Sequence, residues 1–144
     1  MIENPVVTED LILTKVTAKS FERGRDYYES GMVESVTQRG NRLFSDVLGS
    51  EWEPYNVGVT FEERDFRASC TCPYDWEGYC KHIVAVLLTW IHDRDLVAVR
   101  APVEDLVSKL DVDELKALVL QMVESAPELA EAIEEFCRQV APTS

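Results

Sequence analysis

The sequence has no apolar run of about 18 residues, the minimum for a membrane-spanning helix. Its longest apolar stretch, residues 83–88, is a third of that, so no membrane partner is expected. Basic side chains are also scarce: 14 Lys and Arg stand against 27 Asp and Glu, for a net charge of −13. That shortage disfavours a broad, non-specific grip on DNA, which needs clustered cations. The excess negative charge is uneven. Residues 1–69 carry −5 and residues 93–144 carry −7, so any nucleic-acid face belongs in the first two thirds of the chain. No Gly-rich phosphate loop and no catalytic-triad spacing is present. The carboxylate pairs Glu62-Glu63 and Glu134-Glu135 converge on no base or nucleophile, so no enzymatic activity is expected. The residues Met1-Ile2-Glu3-Asn4-Pro5 lack the basic and apolar regions of a secretory signal. A cytoplasmic protein with reduced cysteines is therefore expected.

Cysteine is sparse too, with four in 144 residues, yet three of them crowd one segment. Cys70-Thr71-Cys72 is followed, after seven residues, by Cys80-Lys81-His82. Three thiolates and an imidazole are the ligand types of a closed tetrahedral zinc site. Residues i and i+2 of a strand point to one side, so Cys70 and Cys72 at a strand end can face one ion. Cys80 just before a helix and His82 in its first turn complete the set. Three thiolates, a neutral imidazole and Zn2+ sum to −1, a charge that a helix N-terminus favours. Pro73 and Gly78 supply turn residues for the intervening loop. A Cys70–Cys72 disulfide would close a strained ring. A thiol-based redox or nucleophilic enzyme using Cys80 or Cys72 beside His82 is the alternative. It leaves two cysteines without a role, and no Asp or Asn is placed to orient the imidazole. A filled four-ligand shell leaves no position for water, so the expected zinc is structural.

The rest of the chain reads as α+β. Residues 17–30 have helical periodicity, with Gly31 placed to end the helix. Strands are expected at 32–37 and 42–48 around the turn Arg39-Gly40-Asn41, then at 55–61 and 66–70. Residues 80–92 read as a heavily buried helix, since apolar residues occupy most of its circumference. After Arg100-Ala101-Pro102 the composition changes, and three helices are expected at about 103–110, 112–124 and 127–140. Asp111 with Glu114 and Ser125 with Glu128 have capping-box spacing. The expected architecture is an N-terminal helix, an antiparallel sheet of about four strands, a zinc finger leading into a buried helix, and an α-helical tail. The expected domains are 1–95 and an acidic tail at 102–144.

The spacing C-x-C-x(7)-C-x-H, with Pro73 directly after the second cysteine and an apolar helix after the histidine, resembles the SWIM zinc finger. Cys70, Cys72, Cys80 and His82 fall on the four ligand positions of that family. Arg23-Gly24-Arg25-Asp26-Tyr27-Tyr28 followed by Gly31 resembles the helix and turn that precede the finger in prokaryotic SWIM proteins, and the likeness covers residues 17–92. It implies a strand–strand–helix finger that binds protein or DNA, with a Swi/Snf-type ATPase as a partner. Protein is the favoured partner, because the net charge opposes DNA.

Candidate contact residues are few. Lys19 and Arg23 lie four apart on one helix face, and Arg39 and Arg42 flank the hairpin turn. Glu22, Asp26 and Glu29 lie along the same helix, so a solvated face is the preferred reading of its cations. Tyr74, Trp76 and Tyr79 lie in the metal loop; packing is expected for at least one, and Trp76 is the candidate for exposure and partner contact.

Overall fold

The structure is a computed structural model and describes residues 6–50, 52–74 and 76–140. The reading of Met1–Pro5 lies outside these residues. The chain divides between Pro102 and Val103 into two compact units.

In the first unit, α1 (Glu9–Leu13) and α2 (Ala18–Glu29) precede a β-meander. Thr17 caps α2 by accepting from the Ser20 N–H at 3.0 Å. Gly31, at φ +72°, turns the chain out of α2 into the first strand. The meander comprises β1 (Val33–Arg39), β2 (Arg42–Val47), β3 (Tyr55–Phe61) and β4 (Phe66–Cys70). Gly40 and Asn41 make the two-residue β1–β2 turn, and the positive φ of +59° at the first central position is the reason for glycine there. The helix α3 (Lys81–His92) follows β4, and after one 3-10 turn β5 (Val97–Arg100) closes the unit.

The sheet order is β4-β3-β2-β1-β5, with β5 parallel to β1. The expected antiparallel sheet of about four strands is thus corrected to five strands in a mixed sheet. The fifth strand has only four residues. Its parallel pairing is fixed by the return of the chain across α3, which no local pattern announces.

Strand alternation sends Leu43, Ser45, Val47, Val57, Val59 and Phe61 inward. The inner face is covered by α3, nine of whose twelve residues are buried. A helix apolar all round needs a second cover, and α2 supplies it. Gly24 permits that approach: a Cβ there would lie 2.4 Å from the Val84 side chain. Trp90 closes the core at the far end of α3. Its ring lies 4.6 Å from Phe61, and its Nε1–H donates to Gln38 Oε1 at 3.1 Å.

The second unit contains α4 (Val103–Val107), α5 (Val112–Ser125) and α6 (Leu129–Val140). Asp111 and Glu114 form the expected capping box, with bonds of 2.8 and 3.0 Å. The Ser125–Glu128 spacing does not form one: Ser125 is the last residue of α5, and α6 starts only after Glu128. None of the three helices contains a buried residue. Among the described residues no helix is long and apolar enough to cross a membrane.

Candidate metal centre

Cys70 ends β4, paired with Val57 of β3. The pairing continues past the strand end. Thr71 N–H donates to Asn56 O at 3.1 Å, and Asn56 N–H donates to Thr71 Oγ1 at 2.9 Å. This holds the chain alongside β3 as far as the second cysteine.

The loop then folds back onto the N-terminal part of the unit. Gly78 sits at φ +74°, and a Cβ there would lie 2.5 Å from Lys15 O. Both conditions require glycine. Tyr79 N–H donates to Lys15 O at 3.1 Å, and Val16 bridges Gly78. The loop therefore returns Cys80 to the N-cap position of α3, and His82 lies in the first turn.

The ligand atoms of Cys70, Cys72, Cys80 and His82 all lie within 4.8 Å of one another. His82 Nδ1 is 3.7 Å from the sulfurs of both Cys70 and Cys80. Two ligand atoms on one tetrahedral zinc, with bonds of about 2.0–2.3 Å, stand about 3.6 Å apart. The donor set and its spacing fit the ion. They also assign Nδ1 as the coordinating nitrogen. Among the described residues, Nε2 is buried without a hydrogen-bond partner. The imidazole is held by rings, with Tyr55 at 4.6 Å and Tyr27 edge-on at 5.4 Å. That ring clamp was not legible in the sequence, because Tyr27 and Tyr55 lie in separate elements.

Among the thiols, Cys80 ionises first. Hydrogen bonding from Cys70, then from His82 and the Ile83 N–H, outweighs burial and takes it down to about 4. Cys70 is pushed up, chiefly by sharing its proton with Cys80, and Cys72 is pushed up chiefly by burial. A divalent cation would supply the charge that ionises all three. Held by these four residues, it would act as a structural staple joining the end of β4 to the start of the most buried helix.

Some of the expected contact residues gather near this centre. Tyr74 donates to Glu77 O at 2.8 Å and accepts from Ser20 Oγ at 3.4 Å, which ties the metal loop to α2. Arg23 lines a cavity of about 250 Å³ together with Cys72, Cys80 and His82, and Lys19 is one turn earlier on α2. Trp76, two residues beyond Tyr74, is 76% exposed. Tyr79 is packed: its hydroxyl accepts from the Ala68 N–H at 3.3 Å and its ring lies 5.7 Å from Phe66. Trp52, 97% exposed in the loop between β2 and β3, is a further candidate to which sequence reasoning gave no contact role. Arg39 and Arg42 do not join this group. The register pairs Arg42 with Thr60 and Thr60 with Arg67, which puts the hairpin tip at the opposite end of the sheet from Cys70. His92 is on the surface, 3.2 Å from Glu9, and takes no part in the cluster.

A sheet end and a helix start clamped by three cysteines and a histidine define a zinc finger set within an α+β fold. Residues 55–91 match the family model of the SWIM zinc finger, and the chain carries this finger with all four ligand positions filled. Over 121 residues the chain is 31% identical to zinc finger SWIM domain-containing protein 8 of Bos taurus, an alignment covering 81% of this chain and 8% of that protein. The homolog in Drosophila melanogaster is 32% identical over 118 residues, covering 81% of this chain and 6% of that protein. An uncharacterized protein of Methanocaldococcus jannaschii is 34% identical over 77 residues, covering 54% of this chain and 31% of that protein. The chain thus spans less than a tenth of the two animal proteins. No solved structure matches it.

Proposed function

We propose that the chain is a non-catalytic, zinc-stapled interaction module whose metal-loop face meets a protein partner. The observation that carries this reading is the closed ligand set. All four tetrahedral positions are filled by side chains, which leaves none for a reacting water. Trp76 is an exposed aromatic in the metal loop and Arg23 a cation lining the cavity at the ligands, both of residue types enriched among binding hot spots, and Lys19 lies one turn from Arg23 on α2. Glu22, Asp26 and Glu29 are interspersed with the two cations along α2, and this local balance favours protein over a polyanion such as DNA on this face. The family resemblance names a Swi/Snf-type ATPase as the first partner to try, in the cytoplasm.

Purified candidate ATPase domain is the probe, with affinity measured for wild type, Trp76→Ala and the Lys19→Ala/Arg23→Ala double variant. A loss of about tenfold or more for Trp76→Ala supports the reading. Equal affinity in all three excludes this face. Alkylation distinguishes the thiol-enzyme alternative. Exposed Cys137 should react at once as an internal standard, and the three ligand cysteines only after a chelator is added. Rapid alkylation of Cys80 in the zinc-loaded chain would overturn the structural role.

A further inference from the structure

The face of the sheet opposite α3 carries a row of arginines. Strand register places Arg100 of β5 beside Arg39 of β1, Arg39 beside Arg42 of β2, Arg42 beside Thr60 of β3, and Thr60 beside Arg67 of β4. Alternation puts all five on the outer face, since their neighbours Val59, Leu43 and Phe66 are core residues. Adjacent strands are about 4.8 Å apart, so the row spans roughly 19 Å. Like charges directly opposite one another destabilise a sheet, and nothing in the packing requires four of them. Compensation is slight. Arg67 pairs with Glu62 at 3.1 Å and Arg39 donates to Ala101 O at 2.7 Å. Arg42 and Arg100 form no ion pair among the described residues.

The next row supplies an aromatic. Phe44 lies between Thr37 and Gly58, and its ring is 48% exposed. Gly58 leaves a dip beside it. A Cβ there would make only ordinary contact with Ser69, at 3.6 Å. A cavity of about 380 Å³ is lined by Arg42, Phe44, Gly58 and Arg67.

We propose that this open face binds single-stranded nucleic acid, with backbone phosphates along the arginine row and a base stacked on Phe44 in the dip over Gly58. The arginines give charge complementarity to any polyanion, while an exposed ring on the floor of the groove selects one that carries planar bases. An acidic peptide would use the cations and leave the ring idle. A duplex keeps its bases stacked away from such a platform. The overall charge of −13 does not oppose this, because screening confines each charge to about 8 Å at physiological salt. The site is on the outer face of the sheet, whereas Cys70 pairs with the inward-facing Val57, and it does not depend on the partner proposed for the metal-loop face.

The test uses the full zinc-loaded chain and a short fluorescein-labelled oligothymidylate or oligouridylate, read by anisotropy over a salt series. Binding should weaken steeply as salt rises. Arg42→Ala and Arg100→Ala should each reduce the salt slope by about 1. Phe44→Ala should cost about tenfold or more at unchanged slope, and Phe44→Tyr should restore affinity. Arg25→Ala, on α2 and paired with Glu9, should bind as wild type. These positions are solvent-facing, and unchanged zinc content and melting curves would verify that the variants are folded. The two oligonucleotides separate DNA from RNA as the source of the phosphates. No binding at low salt would overturn the proposal. So would wild-type affinity in Phe44→Ala, a duplex that competes better than the single strand, or polyglutamate that competes equally well.

Discussion

The two units use similar apolar residues with opposite results. In the first, α3 buries nine of twelve residues between the sheet and α2. In the second, α5 and α6 together bury none, although their apolar residues recur at helical spacing. Leu87 and Phe136 illustrate the contrast, the first fully buried and the second 62% exposed. Helical periodicity alone cannot secure burial. A stripe becomes core only when other elements close over it, and the first unit has a sheet, a second helix and a metal clamp to do so. Three short helices offer too little surface to enclose a core of their own. Their order rests instead on local devices such as the capping box at Asp111.

The largest effect expected is from the metal. Removing zinc with a chelator, or replacing Cys80 by Ser, should abolish the cooperative melting of the first unit, because structural zinc contributes on the order of 10 kcal/mol in small fingers. Native mass spectrometry that found a folded, metal-free chain would break the comparison at its root. Next, Leu87→Ala should cost about 2–5 kcal/mol in denaturant unfolding, by transfer loss and the cavity left behind. Phe136→Ala should stay within about 0.5 kcal/mol, since it removes an exposed ring. Equal losses would mean that the second unit is held in a core of its own. Asp111→Ala should cost about 1 kcal/mol and loosen only the start of α5, seen as faster amide exchange in its first turn. The smallest effect concerns Lys15 and Asp65, 2.7 Å apart on the surface. Hydrogen bonding from Lys15, then from the Phe66 N–H, holds the Asp65 carboxyl below its usual value. A lowered carboxylate stabilises the fold above its ordinary titration range, and that contribution disappears as pH falls through the lowered value. Lys15→Ala should move the Asp65 titration back up in an NMR pH series, with almost no change in melting because the group is fully exposed.

Much of the fold was legible because its signals are local. The alternation in residues 55–61 marked β3, the glycine and asparagine of the hairpin marked a turn, and Asp111 with Glu114 marked a helix start. The Ser125–Glu128 pair carried the same motif and failed, because the preceding helix continued through Ser125. The ligand set was legible for a chemical reason: thiolates and imidazole at strand and turn spacing have few other uses, and the structure places all four within reach of one ion.

Contacts between distant segments were not legible. Tyr27 and Tyr55 reach His82 from a helix and from a strand far apart in sequence. Arg100 meets Arg39 only because β5 returns parallel to β1 after the whole length of α3. The sequence by itself determined the local elements, the four donors and the type of metal they hold, since periodicity, capping and ligand chemistry act over a few residues. Tertiary structure alone decided which apolar stripe became core, that Arg23 lines the cavity at the metal ligands, and which arginines form a row on the open face. Burial and register depend on what the rest of the chain brings alongside, and no short window of residues contains that information.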